Sequence, residues 1–280
     1  LFDTADSYGS GGSESALGDI LGSQRQDIVL ASKFGLSLED SPRRVVPATR
    51  DYIMDAVEGS LRRLQTDWID LYQLHALHAE TAMDEVLRAL DDLVTQGKVR
   101  HVGCSNLSAW RVVDADWGAE TQGLTSFVSS QNEYNLLNRG VEKELLPALR
   151  EKKMGFLPFY PLAAGVLTGK YHKGGAIPAG TRLDKMDHLV ARFFNDETMD
   201  IVEALRDFAD ARGRTLLELS FAWLASRDVI PSIIAGTSRP EQVEANVAAV
   251  EWQLTDDEVD EIDRISTLSS DARFGSLFRN

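Results

Sequence analysis

Four residues whose types suit proton transfer stand at or just after the ends of strand-like segments in the first part of the chain. They are Asp3, Tyr8, Lys33 and His75. Each alone has a structural explanation, such as a turn cap, a solvated charge or a hydrogen-bonded core histidine. In a parallel α/β protein, however, the carboxyl ends of the strands converge, so we expect the four side chains to lie together.

Together these residue types suit the delivery of a proton to a carbonyl oxygen. A phenol is ordinarily too weak an acid to donate a proton efficiently at neutral pH. A lysine ammonium beside Tyr8 would stabilise the phenolate, and Asp3 would pair with that ammonium and hold it. A neutral His75 near the substrate oxygen would orient and polarise the carbonyl. If a hydride arrives from elsewhere, the carbonyl compound is reduced to an alcohol.

Short apolar runs alternate with helix-like stretches along the chain, a pattern typical of βα units and a parallel sheet. Seven runs are predicted strands: Leu1–Ala5, Ile28–Lys33, Ile69–Leu74, Val99–Cys104, Phe127–Gln131, Gly155–Phe159 and Ser232–Ala235. Helix starts are predicted where a hydroxyl residue precedes an acid by three positions. These lie at Thr81, Thr215, Ser238 and Thr255.

A (β/α)8 barrel of the TIM type needs eight strands, and the eighth would precede residue 1. We therefore predict an α/β (β/α)8 TIM barrel whose first strand and helix are missing from this chain. An open doubly wound sheet is the alternative, but no Gly-x-Gly-x-x-Gly follows a predicted strand. A barrel without its first strand exposes sheet edges. We expect the 280-residue chain alone to be poorly stable and inactive, and a longer parent protein to be active.

The composition and net charge of the chain exclude some classes of binding partner. The formal net charge is −15 at pH 7, which argues against nucleic acid or an anionic membrane surface as a standing partner. Cys104 is the only cysteine, so no internal disulfide can form, and we expect a reducing, cytoplasmic location. No apolar run of about 18 residues and no signal-peptide pattern occurs, so no membrane partner is expected.

Seven segments resemble the aldo-keto reductase family and keep its order. They are Phe-Asp-Thr-Ala-Asp-x-Tyr-Gly at 2–9, Ala-Ser-Lys-Phe at 31–34, Leu-Tyr-Gln-Leu-His at 71–75, Gly-Lys-Val-Arg-His-Val-Gly-Cys-Ser-Asn at 97–106, Ser-Gln-Asn-Glu-Tyr-Asn-Leu-Leu at 130–137, Pro-Phe-Tyr-Pro-Leu-Ala-Ala-Gly-Val-Leu-Thr-Gly-Lys-Tyr at 158–171 and Gly-Thr-Ser-Arg-Pro-Glu-Gln at 236–242. The resemblance implies a barrel that reduces an aldehyde or ketone with NADPH. It also implies that Tyr8 is the acid and that Asp3, Lys33 and His75 complete a catalytic tetrad.

The same resemblance implies a binding site for NADPH. The nicotinamide would contact Ser105, Asn106, Gln131 and the stacking ring of Phe159. The phosphates would lie by Tyr160, Pro161, Leu162, Ala163, Gly165, Lys170 and Arg182, and the adenosine end by Gly236, Ser238, Arg239, Gln242 and Asn246. Independently, Ser238 is placed to cap a helix with Pro240 in its first turn, and a helix N-terminus attracts phosphate. Arg239 would add a charge suited to the 2′-phosphate, favouring NADPH over NADH.

We predict one aldo-keto reductase domain over residues 1–280, a fragment that starts at the second strand. Its cofactor loop is expected at about 159–182, and a C-terminal helix and tail at about 255–280. Two other functions remain open. A metal-dependent barrel hydrolase would use Asp3, His75 and His78 as ligands, whereas the main prediction has no metal site. A non-enzymatic, cofactor-sensing regulatory subunit would keep the fold alone. The sequence leaves the carbonyl substrate and the oligomeric state open.

Overall fold

The computed structural model describes residues 1–38 and 44–267. Its packing divides into two compact units. Of the described residues, the first unit comprises Leu1–Asn132 and Glu144–Phe156, and the second comprises Glu133–Lys143 and residues 157–267. This division does not test the single-domain prediction, which stays a prediction. The predicted tail at Ser269 to Asn280 lies outside the described residues.

Six strands are present among the described residues, and they form one sheet in chain order. They are β1 (Phe2–Asp3), β2 (Leu30–Phe34), β3 (Ile69–Leu74), β4 (Val99–Ser105), β5 (Ser129–Glu133) and β6 (Gly155–Phe159). Strands β1 to β5 pair in parallel. The predicted seventh strand is wrong, because Ser232–Ala235 forms no ladder and Ile234 N–H only reaches Pro158 O, at 3.0 Å. The alternation of strands with helices confirms the predicted α/β organisation.

Ten α-helices lie among residues 1–38 and 44–267. They are α1 (Gly12–Leu21), α2 (Arg50–Leu64), α3 (Met83–Thr95), α4 (Ala109–Gln122), α5 (Leu145–Glu151), α6 (Asp187–Phe193), α7 (Asp196–Asp210), α8 (Leu216–Ala225), α9 (Pro240–Ala249) and α10 (Asp256–Thr267). Short 3-10 helices occupy Gly22–Asp27, Gly140–Glu142 and Ala163–Thr168. No helix in the described part of the chain is long and apolar enough to cross a bilayer.

Two of the four predicted helix caps are confirmed. The Thr215 hydroxyl and the Glu218 carboxylate close a capping box at α8, and Thr255 pairs with Glu258 in the same way at α10.

The other two caps are wrong. Helix α3 begins after Ala82, and the Thr81 hydroxyl accepts from the Ala48 N–H at 3.1 Å instead. Helix α9 begins after Arg239, one residue later than predicted. Pro240 explains the second shift, because its fixed φ and missing N–H suit the first helical position.

In the first unit, apolar stripes on two helices are buried. The buried stripe of α2 contains Ile53, Val57, Leu61 and Leu64, and that of α3 contains Val86, Leu87, Leu90 and Leu93. These helices pack on each other, and strands β2 and β3 are buried along their whole lengths. A sheet buried along whole strands holds the side chains at their carboxyl ends in fixed positions.

In the second unit, α7 packs against α8 and α10. Trp223 of α8 is fully buried, and its indole N–H donates to Asp263 of α10 at 2.8 Å. Arg139 also reaches α10, with its guanidinium 3.0 Å from Asp263. The polar tip of the buried tryptophan therefore has a charged partner, as such tips usually require.

Candidate active site

A buried ion pair lies at the carboxyl ends of β1 and β2. Lys33 Nζ is 2.5 Å from Asp3 Oδ1 and also donates to the Thr4 carbonyl oxygen at 2.9 Å. The lysine is fully buried, and the aspartate side chain is 6% exposed. Parallel pairing brings the two strand ends side by side, since Asp3 aligns with Ala31. The sequence prediction that these two residues lie together is confirmed.

Two amides hold the other carboxylate oxygen. Gln131 Nε2 donates to Asp3 Oδ2 at 2.8 Å, and Gln73 Nε2 donates to the same oxygen at 3.2 Å. Gly103 makes room for this arrangement, because a Cβ there would lie 2.8 Å from Ser129 Oγ and 3.2 Å from Gln73 Cγ. Both oxygens of Asp3 therefore have donors, which fixes the plane of the carboxylate.

Tyr8 lies at the turn that follows β1. The backbone stays hydrogen-bonded to β2 until Asp6 N–H meets Lys33 O at 3.1 Å, and Tyr8 N–H then turns back to Ala5 O. The ring of Tyr8 is half-buried, with Lys33 Nζ 5.2 Å from its centroid. The phenol is therefore close to the ammonium and still partly open to solvent.

His75 follows β3, and its ring meets Tyr8 edge-on. The two ring centroids are 5.8 Å apart with an interplanar angle of 79°. The backbone N–H of His75 donates to Phe34 O at 2.8 Å, which fixes the histidine beside the end of β2. The four residues predicted to act together are thus neighbours in the first unit.

Ser105 is the last residue of β4, and Asn106 follows it beside the tetrad. Asn106 adopts a left-handed conformation with φ of 58°, which asparagine tolerates better than most residues. Its side-chain amide donates to His75 O at 3.0 Å and to Ser105 Oγ at 2.9 Å. Ser105 Oγ donates in turn to Gln131 O at 2.7 Å. These bonds place an amide and a hydroxyl, both predicted to face a nicotinamide, next to His75.

The second unit carries the other predicted cofactor residues. After β6, backbone with positive φ occurs at Tyr160, Ala163, Ala164 and Gly165. Asn135 Nδ2 donates to Tyr160 O at 2.9 Å and holds this turn. Phe159 is half-buried, and its ring centroid lies 5.5 Å from that of Tyr160. Pro161 is buried and Leu162 half-buried within the same turn.

Three basic side chains gather in the second unit. Desolvation lowers the pKa of Lys170, and the positive charges of Arg182 and Arg239 lower it further. A Cβ at Gly165 would lie 3.2 Å from Lys170 Nζ, so glycine allows the ammonium to approach the turn. Across the described residues, none of these three cations forms an ion pair with a carboxylate. A cluster of unpaired cations beside a tight backbone turn suits an anionic group such as a phosphate.

The remaining predicted residues lie at the start of α9. Gly236, Ser238 and Arg239 are exposed, and Asn246 is half-buried. Gln242 Oε1 accepts from the Ser238 N–H at 2.8 Å, so the glutamine braces the loop before the helix. Ser238 therefore does not cap α9 as predicted, although it stays beside the N-terminus of the helix.

Sequence reasoning missed three buried polar residues of the first unit: Gln73, Asp6 and Glu14. Two of them carried a signal, because Gln73 interrupts an apolar strand and Asp6 belongs to the same motif as Asp3 and Tyr8. Glu14 accepts from Ser32 Oγ at 2.5 Å and from Arg63 Nε at 2.7 Å. Within residues 1–38 and 44–267, no group of three or more His, Cys, Asp or Glu side chains is arranged to hold a metal ion.

Comparison with known proteins places this geometry in a family. The sequence model of the Aldo/keto reductase family matches residues 1–267. A probable voltage-gated potassium channel subunit beta of Arabidopsis thaliana is 34% identical over 260 residues, covering 90% of this chain and 77% of the relative. The uncharacterized oxidoreductase YrpG of Bacillus subtilis is 34% identical over 264 residues, covering 91% and 78%. An L-glyceraldehyde 3-phosphate reductase of Escherichia coli is 30% identical over 268 residues, covering 89% and 74%. The chain therefore belongs to the aldo/keto reductase family, whose fold is the (β/α)8 barrel.

Proposed function

We propose that this protein reduces an aldehyde or ketone to an alcohol with NADPH, and that Tyr8 donates the proton. One observation carries the proposal: a half-buried phenol lies beside a fully buried ammonium and an imidazole in the first unit. Family membership supports reductase chemistry in general, since two of the relatives are named as an oxidoreductase and a reductase.

Lys33 and Asp3 prepare the phenol for proton donation. An ammonium 5.2 Å from the Tyr8 ring centroid stabilises negative charge that develops on the phenol oxygen as its proton leaves. Asp3 pairs with Lys33 and so compensates the charge of the ammonium in a buried position. NADPH, when bound, supplies the hydride that completes the reduction.

His75 orients the carbonyl. Its backbone is fixed by Phe34 and Asn106, so the imidazole keeps its position beside the Tyr8 ring. An imidazole N–H at this place donates to the carbonyl oxygen of the substrate and so holds that oxygen near the phenol. We assign it this orienting role because its ring lies beside Tyr8 and meets it edge-on.

Each unit, taken by itself, carries side chains whose chemistry suits part of a nucleotide cofactor. In the first unit, Ser105, Asn106 and Gln131 present hydroxyl and amide groups suited to a carboxamide. In the second unit, Lys170, Arg182 and Arg239 form the cation cluster suited to phosphates. The ring of Tyr160 lies 5.7 Å from the Arg182 guanidinium, a contact that helps to hold this arginine in place.

The direct test is an assay of the purified full-length protein with NADPH and a panel of aldehydes, ketones and sugars. A phosphorylated short aldehyde belongs in the panel, because one relative is named an L-glyceraldehyde 3-phosphate reductase. Oxidation of NADPH that depends on a carbonyl compound is the expected result. Tight NADPH binding with no turnover on any member of the panel would contradict the proposal.

Arg239→Ala should raise the KM for NADPH by about 10-fold or more and leave the KM for NADH nearly unchanged. The reason is that the guanidinium is proposed to pair with the 2′-phosphate, which only NADPH carries. Steady-state kinetics with both cofactors measure the effect. Arg264→Ala, which removes an exposed guanidinium of α10, is the control. Equal changes in both KM values would count against the assignment.

A second candidate is a cofactor-binding regulatory subunit without turnover. Two relatives are named as probable voltage-gated potassium channel subunits beta, at 34% and 33% identity, and this observation favours it. The retained tetrad favours the enzyme, because a pure sensor needs no proton donor. Cofactor binding without carbonyl turnover would select the regulatory function. For either function we propose a cytoplasmic location, in which the free, buried Cys104 stays reduced.

A further inference from the structure

Asp6 is a buried carboxylate that the proposed chemistry does not use. It is 2% exposed and lies two residues before Tyr8. Its backbone N–H donates to Lys33 O at 3.1 Å, so the residue is tied to the strand that carries the catalytic ammonium. The Ser7 backbone N–H donates to the carboxylate. Among the residues that the structure describes, no group hydrogen-bonds to Asp6 Oδ1.

Charged and titratable groups face Asp6 from four elements. They are Glu14 of α1, Arg63 and Tyr52 of α2, Lys33 of β2 and Tyr72 of β3. Arg63 is bonded to Glu14, with Nε and the terminal nitrogen each 2.7 Å from Oε2. Lys33 is likewise bonded to Asp3. Both cations near Asp6 are thus already paired with other carboxylates, and Asp6 is the carboxylate left over.

This environment favours the neutral form of Asp6. Burial, and then the negative charge of Glu14, raise the pKa of the Asp6 carboxyl from 3.8 to about 7, against the opposing effects of Arg63, the Ser7 N–H and Lys33. Burial also raises the pKa of Tyr52 to about 12 and that of Tyr72 well above 10. The two phenols therefore stay neutral near pH 7, whereas the Asp6 carboxyl changes charge there.

Building on the proposed function, we propose that Asp6 is a positioning residue that tunes proton release from Tyr8 through the charge it places beside Lys33. It touches neither substrate nor cofactor. Its carboxyl exchanges one proton with solvent, and that proton never enters the product. When Asp6 is neutral, the field of Lys33 acts fully on the phenol. When Asp6 is ionised, its negative charge offsets that field and opposes formation of the phenolate.

The expected consequence is a reduction rate that falls as the pH rises through about 7. The negative charge of ionised Asp6 acts on the phenol of Tyr8 in a partly shielded site. It should lower kcat by about 3- to 10-fold relative to the protein with neutral Asp6. Asp6→Asn keeps an oxygen acceptor for the Ser7 N–H but cannot ionise. This variant should therefore keep the rate of the neutral form at pH 8 and lack the step near pH 7.

The kinetic test compares kcat against pH for the wild-type protein and Asp6→Asn. Asp55→Asn is the matched control, because it removes the same charge from an exposed position of α2. The proposal expects the step to vanish in Asp6→Asn and to persist in Asp55→Asn. It is overturned if all three proteins share one profile. Glu14→Gln keeps Asp6 but removes the charge that opposes its ionisation, so its step should move to lower pH.

A second readout needs no turnover. The absorbance of tyrosinate, taken as the difference between each protein and its Tyr8→Phe partner, isolates Tyr8 from the other tyrosines. The Tyr8 signal should appear at lower pH in Asp6→Asn than in the wild-type protein, and an unchanged titration would overturn the proposal. If no variant reduces any carbonyl, the proposed function fails, and this titration still decides whether Asp6 acts on Tyr8.

Stability provides the check that Asp6 titrates in the folded protein. A carboxyl with a raised folded pKa stabilises the fold fully below pH 3.8, and this contribution is lost as the pH rises through about 7. Asp6→Asn does not ionise, so its Tm relative to that of the wild-type protein should increase between pH 5 and pH 8. A constant Tm difference over this range would mean that Asp6 does not titrate there and would overturn the proposal.

Discussion

Replacing Tyr8 with phenylalanine should lower kcat for carbonyl reduction by about 10²- to 10⁴-fold while NADPH binding stays within a few-fold of normal. Phenylalanine keeps the ring that meets His75 edge-on and lies near Lys33. It removes only the hydroxyl that holds the transferable proton. Single-turnover kinetics measure the chemical step, and NADPH fluorescence measures cofactor binding.

Tyr171→Phe is the matched control for this variant. Tyr171 lies in the second unit, and no described group hydrogen-bonds to its buried hydroxyl. Loss of that hydroxyl should therefore leave kcat unchanged. If Tyr8→Phe retains kcat within tenfold of the wild-type value, Tyr8 is not the proton donor and the proposed function needs another acid.

Lys33→Met should abolish most turnover and also destabilise the protein. Removing one member of a buried ion pair leaves the other charge uncompensated, which typically costs about 3–5 kcal/mol in the free energy of unfolding. Here the charge left behind is Asp3, whose side chain is 6% exposed. The loss of the ammonium should also reduce kcat by about 10²-fold or more, because negative charge on the phenol oxygen is no longer stabilised.

A double-mutant cycle separates these two effects. Asp3→Asn combined with Lys33→Met removes both charges, so much of the stability should return while kcat stays low. Chemical denaturation gives the free energy of unfolding for each variant. Lys98→Met is the control, because its pair with Glu58 is well exposed and should contribute about 0–1 kcal/mol. Recovery of kcat in the double variant would show that Lys33 acts only on stability.

The tetrad could be predicted from the sequence, because strand order and residue type are enough to bring these four residues together. Lys33 is the last residue but one of β2, and His75 follows β3. Parallel pairing with the register Lys33 to Gln73 places the two strand ends together. Ser105 and Gln131 are paired residues of β4 and β5, so their proximity also follows from parallel order. The catalytic and cofactor roles of these residues stay predictions.

Features that depend on side-chain packing could not be predicted in the same way. Gln73 reaches Asp3 because Gly103 leaves space across the sheet, which no local pattern shows. Asp6 is surrounded by charged and titratable groups on four elements of the first unit. Ser238 matched a cap pattern, but Pro240 determines where α9 begins. Local patterns thus predict elements well, whereas the partners of a buried polar group depend on distant residues.

The carboxylate of Asp3 receives donors on both oxygens, from Lys33 on one and from two glutamines on the other. The ammonium and the two amide groups that donate to Asp3 are therefore already oriented before any substrate arrives. The protein then needs little polar rearrangement as charge moves during the reaction, and the reorganisation energy of the chemical step is correspondingly small. Mutations of Asp3 or of its donors would raise the reorganisation energy for every substrate alike. Mutations meant to change the substrate range are therefore best made at the outer rim of the site.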